Sequence, residues 1–357
     1  VTSSSPPSPP SSPSPSSRFS PGPVVRRLTL DDLPACLDLA ADRGWARRER
    51  KWRLLLTAGQ GYGIDAPADE VSPPKAPGAA ESPESPGAQE TPALSGPGDH
   101  GPGEGRGLIG VCVLVPYGPP PHAPRDRPSA SVVMVLVAGR HARRGLGRLL
   151  VRHALAEAGD ATVFLTANDS GRPLYEKLGF TTVGTVVRLT GEFTGARAAD
   201  RTADHRAGPR AYLRVRDATA ADLPAVLALD APVFGADRAH LIVRLPSLAD
   251  HFAVAAPGTP NTGLTGYAAL WPGGDTAVIG PVIAEDEPTA RALITELATR
   301  ADGPVRLDTD ARHPGLRAWL RAHGLTERAT HTLMVHGTPG LPGDPGRRFA
   351  PYLGSLG

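Results

Sequence analysis

Cysteine is nearly absent: Cys36 and Cys112 are the two in 357 residues, too few for a disulfide framework. Both lie in apolar stretches and read as reduced core thiols. Long hydrophobic runs are missing as well. No apolar run approaches the roughly 18 residues of a membrane-spanning helix, so no membrane partner is expected. Nor is there an excess of one charge. The 38 Lys and Arg stand against 36 Asp and Glu, a formal +2, which argues against a nucleic-acid partner. Arg47-Arg48, Arg143-Arg144 and Arg152 have no aromatic-rich basic strand beside them, as a base-stacking platform requires. Residues 1–23 are Ser/Pro-rich without an apolar h-region, so they read as a disordered tail and not as a signal peptide. These absences describe a cytoplasmic chain of unstated oligomeric state.

What is plentiful is glycine and proline, 41 and 40 residues, and they are concentrated. Residues 66–107 hold almost no large apolar side chain and cannot bury enough surface to order themselves. They read as an insertion in a hairpin between strands near Gly61–Ile64 and Leu108–Val115. Before them, Val24 to Leu28 reads as a strand. Leu33, Cys36, Leu37 and Leu39 then form a helical stripe, and Trp45 to Leu56 a second helix with Trp45 and Trp52 on one face.

The centre of the chain is Ser131 to Phe180. Val132-Val133-Met134-Val135-Leu136-Val137 reads as a buried strand. After a short turn, Arg143-Arg144-Gly145-Leu146-Gly147-Arg148 opens an amphipathic helix. The first N–H groups of a helix lack partners and sit at its positive end, and glycine lets them approach a ligand closely. Strand, basic Gly-rich turn and helix thus make a pyrophosphate seat. The spacing fits neither a P-loop nor GxGxxG. Thr162 to Ala167 reads as a second strand, followed by Asn168 and by Leu174-Tyr175-Glu176-Lys177-Leu178-Gly179-Phe180.

This order resembles the GNAT superfamily of acyl-CoA-dependent N-acyltransferases, in which a (Q/R)xxGx(G/A) loop holds the CoA pyrophosphate and an LYxxLGF helix follows the next strand. Ala142 stands at the loop's Gln/Arg position here, with Arg143 and Arg144 beside it. The resemblance implies an α/β (α+β) fold whose sheet is mixed, mostly antiparallel and flanked by helices. It implies acetyl-CoA as co-substrate, a small-molecule or peptide amine as acceptor, and no metal. Met134, Val135, Leu136 and Val137 would pair with the pantetheine through their backbone. Arg143, Arg144, Gly145, Leu146, Gly147 and Arg148 would hold the pyrophosphate. Tyr175 matches the tyrosine that protonates the leaving sulfur; the ordinary alternative is a packed helix residue. Asn168 either bonds the pantetheine or caps a turn. Asp42, Glu49 and Asp169 are equivalent candidates for the general base, and a water chain is another. His153 reads as a solvent or helix-dipole contact. A competing function is an acyl-CoA sensor without turnover.

The second half repeats the first. Thr29, Asp32, Leu33, Pro34, Ala35, Leu37 and Leu39 recur as Thr219, Asp222, Leu223, Pro224, Ala225, Leu227 and Leu229. Leu178-Gly179-Phe180 lines up with His323-Gly324-Leu325, and the shorter offset there is accounted for by the 66–107 insertion. The expected layout is a tail 1–23, a first acyl-CoA-binding domain 24–190, a linker 191–210, a degenerate second domain 211–337 and a Pro/Gly-rich tail 338–357. In the second half Glu287-Pro288-Thr289-Ala290 replaces the glycine loop and Leu320 replaces Tyr175. Trp45, Asp230 and Asp237, with Arg238, are candidates for the amine pocket. Asp308, Asp310 and His313 look like metal ligands at first sight, but read better as a strand end and turn.

Overall fold

The computed structural model describes residues 22–67, 107–123, 125–195, 213–258, 263–352 and 356. Much of the insertion and of the linker therefore lies outside the described residues. The apolar runs of the first half form β1 (Arg26–Arg27), β2 (Gln60–Asp65), β3 (Leu108–Tyr117), β4 (Ser129–Val137), β5 (Thr162–Ala167) and β6 (Thr181–Gly191). The 3.6-residue stripes form α1 (Leu33–Asp42), α2 (Glu49–Ala58), α3 (Leu146–Ala158) and α4 (Arg172–Glu176). The second half supplies β7 (Leu213–Asp217), α5 (Leu223–Phe234), α6 (Ala239–Ile242), α7 (Leu245–Leu248), β8 (His251–Pro257) and β9 (Gly266–Trp271). It continues with β10 (Ala277–Ala284), α8 (Glu287–Ala298), β11 (Val305–Asp310), α9 (Pro314–Ala322), β12 (Thr326–His336) and β13 (Arg348–Ala350).

The repeat is physical. Thr29 and Asp32 form a capping box ahead of α1, and Thr219 and Asp222 form one ahead of α5. Arg26 binds Asp32 at 2.6 Å, and Arg216 binds Asp222 at the same 2.6 Å. In both halves the fourth and fifth strands of the repeat run parallel over three residues and then part. β4 meets β5 at Ser129–Ser131, and β10 meets β11 at Ala277–Ile279.

The halves are not separate beads. One sheet runs β1-β2-β3-β4-β5-β12-β6-β11-β10-β9-β8-β7. The last strand of each half is given to the other: β12 pairs with β5, β6 pairs with β11, and the two exchanged strands pair with each other. A largest core cluster accordingly mixes Phe164 and Tyr117 with Phe234, Met334 and Tyr352.

Three expectations change. The second helix starts at Glu49, four residues later than Trp45, which leaves Trp45 to Arg48 as a loop. Residues 338–357 are not simply a tail: Arg348–Ala350 pairs with β10, and Phe349, Tyr352 and Leu356 are buried, because their apolar side chains fill the seam of the second half. His153 packs edge-on against the Tyr62 ring at 4.6 Å and is not simply a solvent contact. The hairpin that carries the insertion is closed by a bond from the Ala66 N–H to the Gly107 carbonyl, 2.7 Å.

Candidate active site

Met134 has φ 53°, unusual for a side chain of its size. It sits in a bulge: β3 and β4 pair at Val113–Val133 and again at Val111–Leu136, with the register shifted between. Just before it, β4 stops pairing with β5, whose last parallel partner is Phe164 opposite Ser131. The bulge and the parting of the strands together open a wedge.

At the far end of β4, Arg143 and Gly145 both have positive φ, 64° and 82°, which turns the chain into α3. Gly145 is the N-cap and offers no side chain, so α3 starts without a side-chain cap. Its first backbone donor to find a helical partner is Leu149, bonded to Gly145 at 3.0 Å, so the N–H groups of Leu146, Gly147 and Arg148 have none. A Cβ on Gly145 meets nothing within 4 Å, so the space above the helix start is open.

A cavity of about 360 Å³ lies in the wedge. Met134 and Val135 of β4 line it, with Thr166, Ala167 and Asn168 at the end of β5 and Tyr175 of α4. Trp45, Ala46, Arg48, Lys51 and Trp52 close one side. The far wall comes from the exchanged strands and the second half: Val186 and Arg188 of β6, Arg306 and Asp308 of β11, and His331 of β12.

The expected residues thus fall into groups. Met134, Val135, Asn168, Tyr175 and Trp45 are gathered at the cavity. Leu136 and Val137 continue β4 toward the α3 turn that carries Arg143 to Arg148. Asn168 holds the turn into α4, its Oδ1 accepting from the Gly171 N–H at 2.8 Å and the Ser170 hydroxyl at 3.1 Å. The three carboxylates considered as base are not among the lining residues. Asp42 instead accepts from the Gly139 N–H at 2.8 Å, and Glu49 pairs with Arg53. Asp230 and Asp237 also lie away from the cavity. Asp230 is buried because Arg238 binds both its oxygens, at 2.8 and 2.9 Å, and the Tyr267 hydroxyl donates to it. Asp237 caps the start of α6 through the Ala239 N–H at 2.8 Å.

Tyr175 is buried, and its hydroxyl has no hydrogen-bond partner among the described residues. Burial, with a smaller push from Cys112, raises its phenol to about 12. It therefore remains a proton donor at any physiological pH. Asp308 would be raised by burial, but Arg188 at 2.8 and 3.0 Å and Arg306 at 2.8 and 3.3 Å hold its carboxyl well below the usual carboxylate range. The His331 imidazole is pushed down by burial and by Arg188, so it is neutral near pH 7. Burial first, then Arg306 and Arg48, bring the Lys51 ammonium down to about 8, against an opposing pull from Asp308.

Sequence reasoning missed the charged wall. A signal was there: Arg306 and Asp308 alternate with the apolar Val305 and Leu307, and Arg188 sits between Val187 and Leu189. What could not be read was that β6 and β11 lie side by side, with Arg188 directly opposite Asp308.

Two family descriptions match the chain: "Acetyltransferase (GNAT) family" over residues 88–180 and "Acetyltransferase (GNAT) domain" over 226–350. The chain is 31% identical over 199 residues to an uncharacterized N-acetyltransferase, YitH, of Bacillus subtilis. That match covers 52% of this chain and 62% of the relative, so the chain spans less than two thirds of that protein. Among solved structures, a putative acetyltransferase from Pyrococcus horikoshii superposes with TM-score 0.66 at 13% identity, covering 95% of this chain and 97% of that one. A tandem GNAT protein from the clavulanic acid biosynthesis pathway superposes with TM-score 0.51 at 15% identity, covering 89% and 99%. At such identities the two structures speak for the fold alone.

Proposed function

Because the chain belongs to the GNAT superfamily and carries two of its domains in tandem, we propose that it transfers the acyl group of acetyl-CoA to an amine, using one cleft whose acetyl-CoA side is built by the first half and whose far wall includes the second. The observation that carries this reading is the conjunction at β4: a bulge at Met134, a wedge opening beside it, and an uncapped helix start beyond. The backbone from Met134 to Val137 pairs with the pantetheine arm as an added strand. The Leu146, Gly147 and Arg148 N–H groups, with Arg143, Arg144 and Arg148 around them, hold the pyrophosphate. Ala142 contributes no charge to this seat.

The amine nitrogen attacks the thioester carbonyl, the C–S bond breaks, and the nitrogen gives up a proton. Tyr175 lines the cavity with a free phenol, and its proton goes to the departing thiolate. The carboxylate that lines the cavity, Asp308, is occupied by two guanidinium groups. With no free carboxylate in the lining, the amine proton leaves through water or to the neutral His331 imidazole, whose Nε2 has no partner among the described residues. Asn168 shapes the turn at the end of β5, next to the reacting carbonyl. Trp45 covers the site from the loop ahead of α2.

The test is acetyl-CoA consumption over a broad amine panel, read as free CoA. Amine-dependent release of CoA is expected. Tight acetyl-CoA binding with no release for any amine would turn the reading toward a sensor.

A further inference from the structure

The acceptor side of the cavity holds four cationic side chains, Arg48, Lys51, Arg188 and Arg306, and one carboxylate, Asp308. That carboxylate is shared between Arg188 and Arg306. Arg48 and Lys51 form no ion pair with any described residue, although both are partly buried and face like charges. Desolvated cations set side by side cost free energy in an empty site, and a purely structural cluster would pair them. The unpaired charge is satisfied when an anion enters.

That anion is not on CoA as placed above. The pantetheine arm is neutral, and the pyrophosphate belongs at Gly145–Arg148, none of which lines this cavity. Arg48 and Lys51, from the start of α2, face Arg188, Arg306 and Asp308 of β6 and β11 in the part of the cavity left for the amine. Resting on the acyl-transfer reading, we propose that the acceptor is a small amine bearing a carboxylate or a phosphate group, seated by Arg48 and Lys51. Arg48 offers a planar fork suited to either oxyanion, and Lys51 a point charge. Both oxygens of Asp308 are engaged, so the wall offers no seat to a second ammonium. A polycationic amine meets only repulsion there. The second half thus earns its place in the chain: through β11 it helps build the acceptor's charge selectivity.

The experiment compares matched amines: an amino acid against its primary amide, and an amino alcohol phosphate against the free amino alcohol. The readout is kcat/KM for CoA release, with acetyl-CoA affinity followed by calorimetry. At least tenfold preference for the anionic member of one pair is expected, and the pair that shows it tells carboxylate from phosphate. Lys51→Glu should reverse the preference toward the uncharged member while acetyl-CoA affinity holds, a switch that misfolding cannot produce. If that variant loses acetyl-CoA binding, Arg48→Gln on the same panel decides, with the preference expected to shrink severalfold. Equal or better turnover of the uncharged members, or a preference untouched by these changes, would overturn the proposal and leave acyl transfer standing. If no amine is turned over, the transfer reading fails. Calorimetric binding of the anionic members to the protein–CoA complex then decides the anion seat, and no binding overturns it.

Discussion

In the first half, β4 and β5 part after Ser131 and Phe164 and the gap between them is a cavity. In the second half, β10 and β11 part after Ile279 and Leu307, and β13 lies in the gap. It pairs Ala350 with Val282 and Arg348 with Ile283, and it rests against β11 as well. This is the backbone pairing that we assign to pantetheine in the first half. The helix starts differ in the same sense. α3 opens without a side-chain cap, whereas Asp286 caps α8 by accepting from the Thr289 N–H at 2.9 Å. One copy of the repeat thus leaves its strand edge and helix end open, and the other occupies both from its own chain. On the proposed reading, a duplicated fold keeps its packing and gives up ligand binding when two hydrogen-bonding vacancies are filled from its own chain.

The largest effect is expected at the acid. Tyr175→Phe should lower kcat by about 100-fold with CoA affinity kept. Leu320, aligned with it in the second half, is buried among apolar neighbours and carries no proton to donate. An unchanged kcat, with chemistry limiting, would reduce Tyr175 to packing.

Next come the helix starts. Gly145→Asp places a carboxylate at the pyrophosphate seat and should weaken CoA binding more than tenfold, about 1.4 kcal/mol or more. Since φ there is 82°, it also costs some stability, about 1 kcal/mol. Asp286→Ala, at the corresponding place in the second half, should do the reverse: about 1 kcal/mol of stability lost with the cap, and CoA affinity intact. Calorimetry and denaturant unfolding on both variants read the contrast, and a CoA defect in Asp286→Ala would erase it.

The pH profile sharpens the first half's chemistry. With the Tyr175 phenol raised to about 12, its proton is retained past the ordinary phenol value. The alkaline limb of kcat, at saturating substrate, should therefore begin only above about pH 10. A descending limb near that value, absent in Tyr175→Phe, would contradict the placement. The smallest effect is expected from deleting residues 70–104. The hairpin is already tied by Ala66 and Gly107, and loop length enters closure entropy only logarithmically. A loss of melting temperature or CoA affinity would give that segment a role in the site.

The first half was legible because its signals are local. The β4 run, the Arg143–Arg148 turn and the Leu174–Phe180 run each declare a strand, a helix start or a helix within a few residues, and the structure forms them there. The repeat was legible for the same reason, from its twin capping boxes. The strand exchange was not, since β6 and β12 have the same alternation whichever sheet they join. The charged wall depends on that exchange, so Arg188 and Asp308 gave no warning that they meet. Residues 338–357 misled by composition: glycine and proline dominate them, yet Phe349, Tyr352 and Leu356 are enough to anchor the segment.

On the reading proposed, the first half binds CoA and the second does not. Titration calorimetry with CoA on the full chain measures it directly. One site per chain, abolished by Gly145→Asp, is expected. Two sites, or one that survives that substitution, would contradict it.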